Sequence, residues 1–245
     1  MTEAMPTRVA LVTGSSAGIG AAIARRLGSS DWTVVVNSHR SVEAGRSLAA
    51  ELPSATYIQA DVADAAEAER LIAETVVRYG RLDLLVNNAG ATRVIPHGDL
   101  GAATPEVWRE LYAVNVIGPW QLIVAAVPHL REHGDGCVIN ISSIAGVRPL
   151  GSSIPYAVSK AALNHLTRLL AATLGPEIRV NAVAPGLVDT DWTADWDEVR
   201  EMVRATTPAR RSGLPDDVAG VVEALVRARY TTGEIWLVDG GLHLR

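Results

Sequence analysis

Val9-Ala10-Leu11-Val12-Thr13-Gly14-Ser15-Ser16-Ala17-Gly18-Ile19-Gly20 is a short apolar run that empties into a turn carrying three glycines. Four small or β-favouring apolar residues read as a buried strand, and a helical pattern follows over Ile19–Gly28. Glycine lets the backbone turn sharply and approach a ligand with no Cβ in the way. A helix opening directly after such a turn offers unpaired backbone N–H groups and the positive end of its dipole, which together favour a pyrophosphate. A glycine turn alone is only a tight turn. Its place between a strand and a helix makes it a phosphate cradle.

Further along the chain, the same alternation repeats. Val- and Ile-rich runs at Thr33–Val36, Ala55–Gln59, Leu82–Val86, Cys137–Ile141, Arg179–Val183 and Glu234–Val238 read as strands. Between them lie helical patterns at Val42–Leu52, Ala63–Tyr79, Pro105–Leu130, Ile154–Leu174 and Pro215–Ala228. Strands alternating with helices predict a doubly wound, Rossmann-type α/β fold: a parallel seven-stranded sheet with helices on both faces. With no repeat, low-complexity tract or linker, residues 1–245 read as one domain.

Polar residues gather where the strands end. Asp61-Val62, Asn87-Asn88-Ala89-Gly90, Ser142-Ser143 and Pro185-Gly186 each follow a strand, as Gly14–Gly20 follows the first. In an open parallel sheet these carboxyl ends share one edge, where ligands bind at the switch in strand order. Five clusters therefore converge on one crevice.

Composition narrows the function classes. The chain has 48% hydrophobic residues and a net charge of -5 from 22 basic and 27 acidic residues. That balance disfavours nucleic acid as a partner. The amino-terminal residues lack an apolar signal stretch, and no run reaches the ~18 apolar residues of a membrane span. A cytoplasmic protein with no membrane partner is the expectation. Cys137 is the single cysteine, placed in an apolar run that suits a buried structural thiol. The six histidines are scattered, without the spacing of zinc ligands, so no metal is expected. No Gly-x-Ser-x-Gly elbow of a hydrolase is present.

Tyr156 and Lys160 stand four apart in a helical pattern, so their side chains leave one face a turn apart. A free tyrosine, with a pKa of ~10, exchanges protons poorly at neutral pH. A fixed ammonium nearby favours the phenolate and lowers that value. Ser143 lies thirteen residues before Tyr156 and can bond a substrate oxygen as charge develops on it; Ser142 is its neighbour and rival. Asn115 interrupts an apolar helical stretch.

Thr13–Gly20, Asp61, Asn87–Gly90, Asn115, Ser143, Tyr156-x3-Lys160, Pro185-Gly186 and the ending Thr232…Gly241 occur in an order that resembles the short-chain dehydrogenase/reductase family over nearly the whole chain. The likeness is to the single-domain branch, with 3-oxoacyl-carrier-protein reductase a similar subclass. It implies an oxidoreductase that moves hydride between a nicotinamide dinucleotide and a carbonyl or secondary-alcohol carbon of a small molecule. In that family pattern Tyr156 is the acid and base, Lys160 lowers its pKa and holds the nicotinamide ribose, and Ser143 bonds the substrate oxygen. Asn115 distorts its helix and holds a proton-relaying water.

The resemblance also assigns the coenzyme's contacts. Gly14, Ser16, Gly18, Ile19 and Gly20 take the phosphates, and Asp61 and Val62 take the adenine. Asn88, Ala89 and Gly90 lie beside the ribose and nicotinamide half, and Pro185, Gly186, Val188 and Thr190 frame the nicotinamide. Asp61 also reads as an N-cap for the helix beginning near Ala63, and Asn87 as structural. After the second strand, Asn37-Ser38-His39-Arg40-Ser41 carries no acid; Ser38 or Asn37 stands where NAD-binding members place an aspartate. Arg40 can clamp a 2′-phosphate, so NADP(H) is favoured over NAD(H), although Ala17 stands where many NADP-binding relatives are basic. Family members usually assemble as tetramers through the helices at 105–130 and 154–174, so a homo-oligomer, tetramer or dimer, is expected.

Residues 187–212 fall where the family places a substrate lid. Trp192 and Trp196, conspicuous in a chain without phenylalanine, share a face if that segment is helical. They cap an apolar or ring-shaped substrate or pack the lid down. Five acids in 189–198 disfavour an anionic substrate on that side. The alternatives are a non-catalytic dinucleotide-binding regulator, which the intact Ser143, Tyr156 and Lys160 argue against, and an NAD-dependent alcohol dehydrogenase. An epimerase of the extended relatives needs a larger carboxyl-terminal domain.

Overall fold

The computed structural model describes residues 7–245. Its strands are β1 (Val9–Val12), β2 (Thr33–Ser38), β3 (Ala55–Gln59), β4 (Leu84–Asn87), β5 (Gly136–Ile141), β6 (Ile178–Pro185) and β7 (Ile235–Val238). They form a seven-stranded sheet in the order β3-β2-β1-β4-β5-β6-β7, every neighbouring pair parallel. The order reverses between β1 and β4, so the chain winds outward in both directions and leaves a crevice above that pair.

The period of two in β1 divides the core. Ala10 and Val12 face one layer, with Ile23, Ala24 and Leu27 of α1 (Gly18–Gly28), Leu48 of α2 (Val42–Glu51) and Val218, Val222 and Leu225 of α8 (Pro215–Arg227). Val9 and Leu11 face the other, with Leu71 and Ile72 of α3 (Ala65–Tyr79), Leu122, Ile123 and Leu130 of α5 (Gly118–Arg131) and Leu170 and Leu174 of α6 (Ile154–Leu174). Burial on both faces is why the strands read as continuous apolar runs.

Three differences from the sequence reading have physical causes. α3 begins at Ala65, because Asp64 caps it by accepting from Glu67 N. Asp61 is not its N-cap; its Oδ1 accepts instead from Ala63 N at 3.0 Å within the preceding turn. The expected helix at 105–130 is α4 (Pro105–Tyr112), a π-helical turn at Ala113–Ile117 centred on Asn115, and α5. Within residues 187–212, Asp191–Thr193 is a 3-10 turn and α7 covers Asp197–Thr206, so Trp192 and Trp196 do not share one helix face.

The stretch Pro105–Arg131 is long and apolar enough to cross a membrane by length and composition, which the expectation of no spanning run did not anticipate. In the fold the π turn breaks it, and α5 turns Leu122, Ile123 and Leu130 into the core. Cys137 is buried, and burial pushes its thiol up to about 11. Among the described residues no cluster of three or more His, Cys, Asp or Glu is placed to hold a metal.

Candidate active site

A cleft of about 1610 Å³ lies over the carboxyl ends of the strands, and all five polar clusters line it. On the side of β1 the glycine turn is held from both directions. Gly14 N donates to Asn37 Oδ1 at 3.3 Å, and Asn88 Nδ2 donates to the carbonyls of Thr13 and Gly14 at 2.9 Å. Gly14 has φ +59, and a Cβ there would stand 2.8 Å from Ala89 Cα. Only glycine fits that conformation and that contact. The head of α1 has no side-chain cap, since Ala17 precedes it, and its first i−4 bond is Ala21 N to Ala17 O. The N–H groups before Ala21 are therefore left without helical partners, and Gly18, Ile19 and Gly20 line the cleft.

Asn37 is buried and bonded to Ile58 O, Ala60 O and the glycine turn, so it is a structural residue. Ser38 is also buried, with its Oγ on Tyr57 Oη at 2.9 Å. Arg40 is exposed at the cleft rim, and its guanidinium has no hydrogen bond or ion pair among the described residues. Asp61 lines the same end, 3.5 Å from His39 Nδ1, with Val62 buried beside it.

The centre of the cleft is built from β5, the π turn and the first turns of α6. Ser153 caps α6 by accepting from Tyr156 N at 3.3 Å, which fixes the backbone of Tyr156. One turn on, Lys160 lies on the same face, its Nζ 5.9 Å from the centre of the Tyr156 ring. Lys160 is buried, and Nζ donates to Ile141 O at 2.9 Å. Ser143 caps the short turn Ile144–Gly146 by accepting from Ala145 N at 3.1 Å, and its side chain lies close enough to the Tyr156 phenol to favour the ionised form. Ser142 instead donates to Lys160 O at 3.3 Å from a buried position, so its hydroxyl is engaged on the α6 backbone. A Cβ at Gly90 would lie 3.4 Å from Asn115 Oδ1 and 3.7 Å from Lys160 Nζ. Asn115 and Lys160 therefore meet beside Gly90, and Lys160, Tyr156 and Ser143 line the cleft there.

Burial sets the protonation states here. It pushes the Tyr156 phenol up, and the nearby Ser143 side chain offsets this in part. Burial also pulls Lys160 down from 10.5 to about 8. The four-residue spacing predicts an ammonium that lowers the phenol, whereas burial raises it. Desolvation is the largest effect on both groups.

Val188 pairs with Gly213 as an isolated bridge, and the Thr190 methyl sits 3.3 Å from where a Cβ on Gly18 would be. Gly186 N donates to Val238 O at 2.9 Å, and a Cβ at Gly186 would meet Asp239 Cα at 2.9 Å. This close approach anchors the Pro185-Gly186 corner against the chain's end.

Residues outside the predicted set complete the frame. Thr13 Oγ1 accepts from the backbone N–H of both Asn88 and Ala89 at 3.0 Å. Ser159 Oγ accepts from Asn115 Nδ2 at 3.0 Å and donates to Tyr156 O at 2.7 Å. A serine inside the Tyr156–Lys160 turn was the readable signal. Arg200 clasps the 187–212 segment through Asp189 at 3.0 Å and Asp197 at 2.7 Å. That pairing neutralises two of the five acids in 189–198 and weakens the predicted bias against anionic substrates.

Comparison with known proteins gives the family. The family model described as Enoyl-(Acyl carrier protein) reductase matches residues 14–243. The chain is 61% identical over 99% of both chains to a protein of Streptomyces violaceoruber named Granaticin polyketide synthase putative ketoacyl reductase 2. The chain belongs to the short-chain dehydrogenase/reductase family. It is 40% identical to the human Dehydrogenase/reductase SDR family member 4, across 98% of this chain and 88% of that one. A solved short-chain dehydrogenase/reductase from Burkholderia xenovorans superposes with a TM-score of 0.92 at 35% identity, covering 99% of this chain and 100% of that one. As a member of this family the chain is an NAD(P)-dependent oxidoreductase.

Proposed function

We propose that this short-chain dehydrogenase/reductase is an NADP(H)-dependent ketoreductase acting on the ketone of a ketoacyl or polyketide chain. The observation that carries the reading is that Tyr156, Ser143 and Lys160 line one cleft with an uncapped helix head, the Lys160 Nζ 5.9 Å from the centre of the Tyr156 ring. The 61% identity to a polyketide ketoacyl reductase supports the substrate class.

The residues present fit a dinucleotide. The open N–H groups of Gly18, Ile19 and Gly20, with Gly14 and Ser16, hold the diphosphate. Asp61 and Val62 hold the adenine. Asn88 positions the glycine turn, so that Ala89 and Gly90 line the ribose and nicotinamide half. Pro185, Gly186, Val188 and Thr190 frame the nicotinamide, and Tyr156 and Lys160 reach its ribose. Arg40 supplies a cation for a 2′-phosphate, with Ser38 lining the same cleft, which favours NADP(H) over NAD(H).

Bound, the reduced nicotinamide supplies hydride to the carbonyl carbon. Tyr156 gives its proton to the carbonyl oxygen as charge builds there, and Ser143 donates a hydrogen bond to the same atom. A phenol whose pKa is raised by burial stays protonated, the state an acid for ketone reduction requires. Lys160 holds an ammonium near the phenol and favours its deprotonated form after transfer. Asn115 holds the π turn and the Ala91 backbone in place around them.

Residues 187–212 act as the lid of the single domain. A homo-oligomer, tetramer or dimer, accounts for exposed apolar residues on α5 (Trp120, Val124) and α6 (Val158, Leu169). The lone buried thiol suits a cytoplasmic enzyme.

The test is loss of reduced-nicotinamide absorbance with NADPH and NADH over a panel of ketones and enoyl thioesters. The reading expects turnover of ketones with NADPH preferred. Dinucleotide binding without turnover of any ketone, or turnover of enoyl thioesters alone, overturns it.

A further inference from the structure

The lid carries apolar side chains that the chemistry at Tyr156 does not require. We infer that the lid and the loop wall of the same cleft form a slot for a flat ring system, so that the substrate is an aryl or fused-ring ketone. This deepens the ketoreductase reading and rests on it.

Trp192 reaches furthest in. Its Cη2 lies 3.5 Å from the Cβ position of Gly90, the same point that lies 3.7 Å from Lys160 Nζ. The edge of the indole therefore stands next to the reacting centre. Yet Trp192 is 48% exposed, whereas an indole that only pinned the lid would be covered. Along α7, Val199, Met202 and Val203 share one face. Val203 is buried, while Val199 and Met202 remain exposed, and with Trp196 all of them line the cleft. Apolar groups left open inside a cleft mark a surface awaiting a ligand.

The other wall carries Val94 and Leu150, and it is laced together. Ile95 N donates to Ser152 O at 2.8 Å, Thr92 Oγ1 meets Ser152 Oγ at 2.5 Å, and His97 Nε2 meets Gly151 O at 3.1 Å. Arg200 fixes the lid side through Asp189, Asp197 and the Ala194 carbonyl. Both walls are thus held before substrate arrives. An indole edge and a methionine gain more from an aromatic face than from a flexible alkyl chain, which must also lose its torsional freedom.

The test compares kcat/KM for naphthylacetone and tridecanone, ketones with equal numbers of carbons, at saturating dinucleotide. The slot predicts a preference of about tenfold for the naphthyl ketone. Trp192→Ala lowers the naphthyl value about tenfold more than the tridecanone value, and Trp192→Phe recovers most of the ratio. Equal wild-type constants, or a ratio unchanged in Trp192→Ala, overturn the slot while ketone turnover leaves the reductase reading standing. Calorimetric binding of naphthylacetone to Tyr156→Phe with dinucleotide bound reads the slot apart from the chemistry. Trp192-dependent binding there, with no ketone turned over by the wild type, keeps the slot and removes the ketoreductase reading.

Discussion

Asn115 grips Ala91 with both ends of its amide: Ala91 N donates to Asn115 Oδ1 at 2.8 Å, and Asn115 Nδ2 donates to Ala91 O at 2.9 Å. The second amide hydrogen goes to Ser159 at 3.0 Å, so one side chain ties the loop after β4, the π turn and α6. Asn115→Leu leaves Ala91 N, Ala91 O and Ser159 without these partners. The expected cost is about 2 kcal/mol of stability. Turnover falls further than stability accounts for, because Gly90 and Tyr156 lose their common reference. Urea midpoints together with kcat check this, and an unchanged kcat contradicts it.

Lys160 gives a pH signature. Its pKa is about 8 in the folded chain against 10.5 in the open. Below 8 both states are protonated and folding bears the whole cost of burying the charge. Between these values the unfolded chain holds a proton that the folded chain has lost, so stability rises with pH. Relative to Lys160→Met, the wild type gains roughly 3 kcal/mol across that window. A stability difference that stays flat with pH contradicts the burial argument.

Arg40 should decide the dinucleotide. Charge-assisted hydrogen bonds to a phosphate are worth about 1.5–3 kcal/mol, so Arg40→Ala weakens NADPH by roughly ten- to a hundredfold. NADH binding changes little. Kd values for both, from fluorescence titration of the reduced nicotinamides, check this; equal losses contradict it.

Arg200 tests the lid. Removing its guanidinium frees Asp189, Asp197 and the carbonyls of Thr193 and Ala194 together. Arg200→Ala is expected to speed chymotryptic cleavage at Trp192 and Trp196 several-fold and to raise KM more than it lowers kcat, since few contacts then oppose local opening. Unaltered cleavage contradicts the clasp.

The sheet was legible because strands buried on both faces leave continuous apolar runs, such as Val34–Val36, that no other element needs. The cleft was legible because five polar clusters follow strand ends, and Tyr156 and Lys160 because they share one face of a helix a turn apart. Three things were not. The π turn at Asn115 arises from side-chain bonds to Ala91 and Ser159, and helical periodicity is blind to those. The cap of α3 is Asp64 rather than Asp61, a shift of three residues between two equally suitable aspartates. The protonation of Tyr156 and Lys160 depends on burial depth, which four-residue spacing does not carry.

The measurement that bears most directly on the account is single-turnover reduction of a ketone by Tyr156→Phe with NADPH bound. The phenyl ring keeps the packing and removes the proton donor. Dinucleotide affinity should stay within a few-fold of wild type, while the rate of nicotinamide oxidation falls by about 10²–10⁴. A Tyr156→Phe variant that oxidises bound NADPH at the wild-type rate would mean that the proton comes from elsewhere.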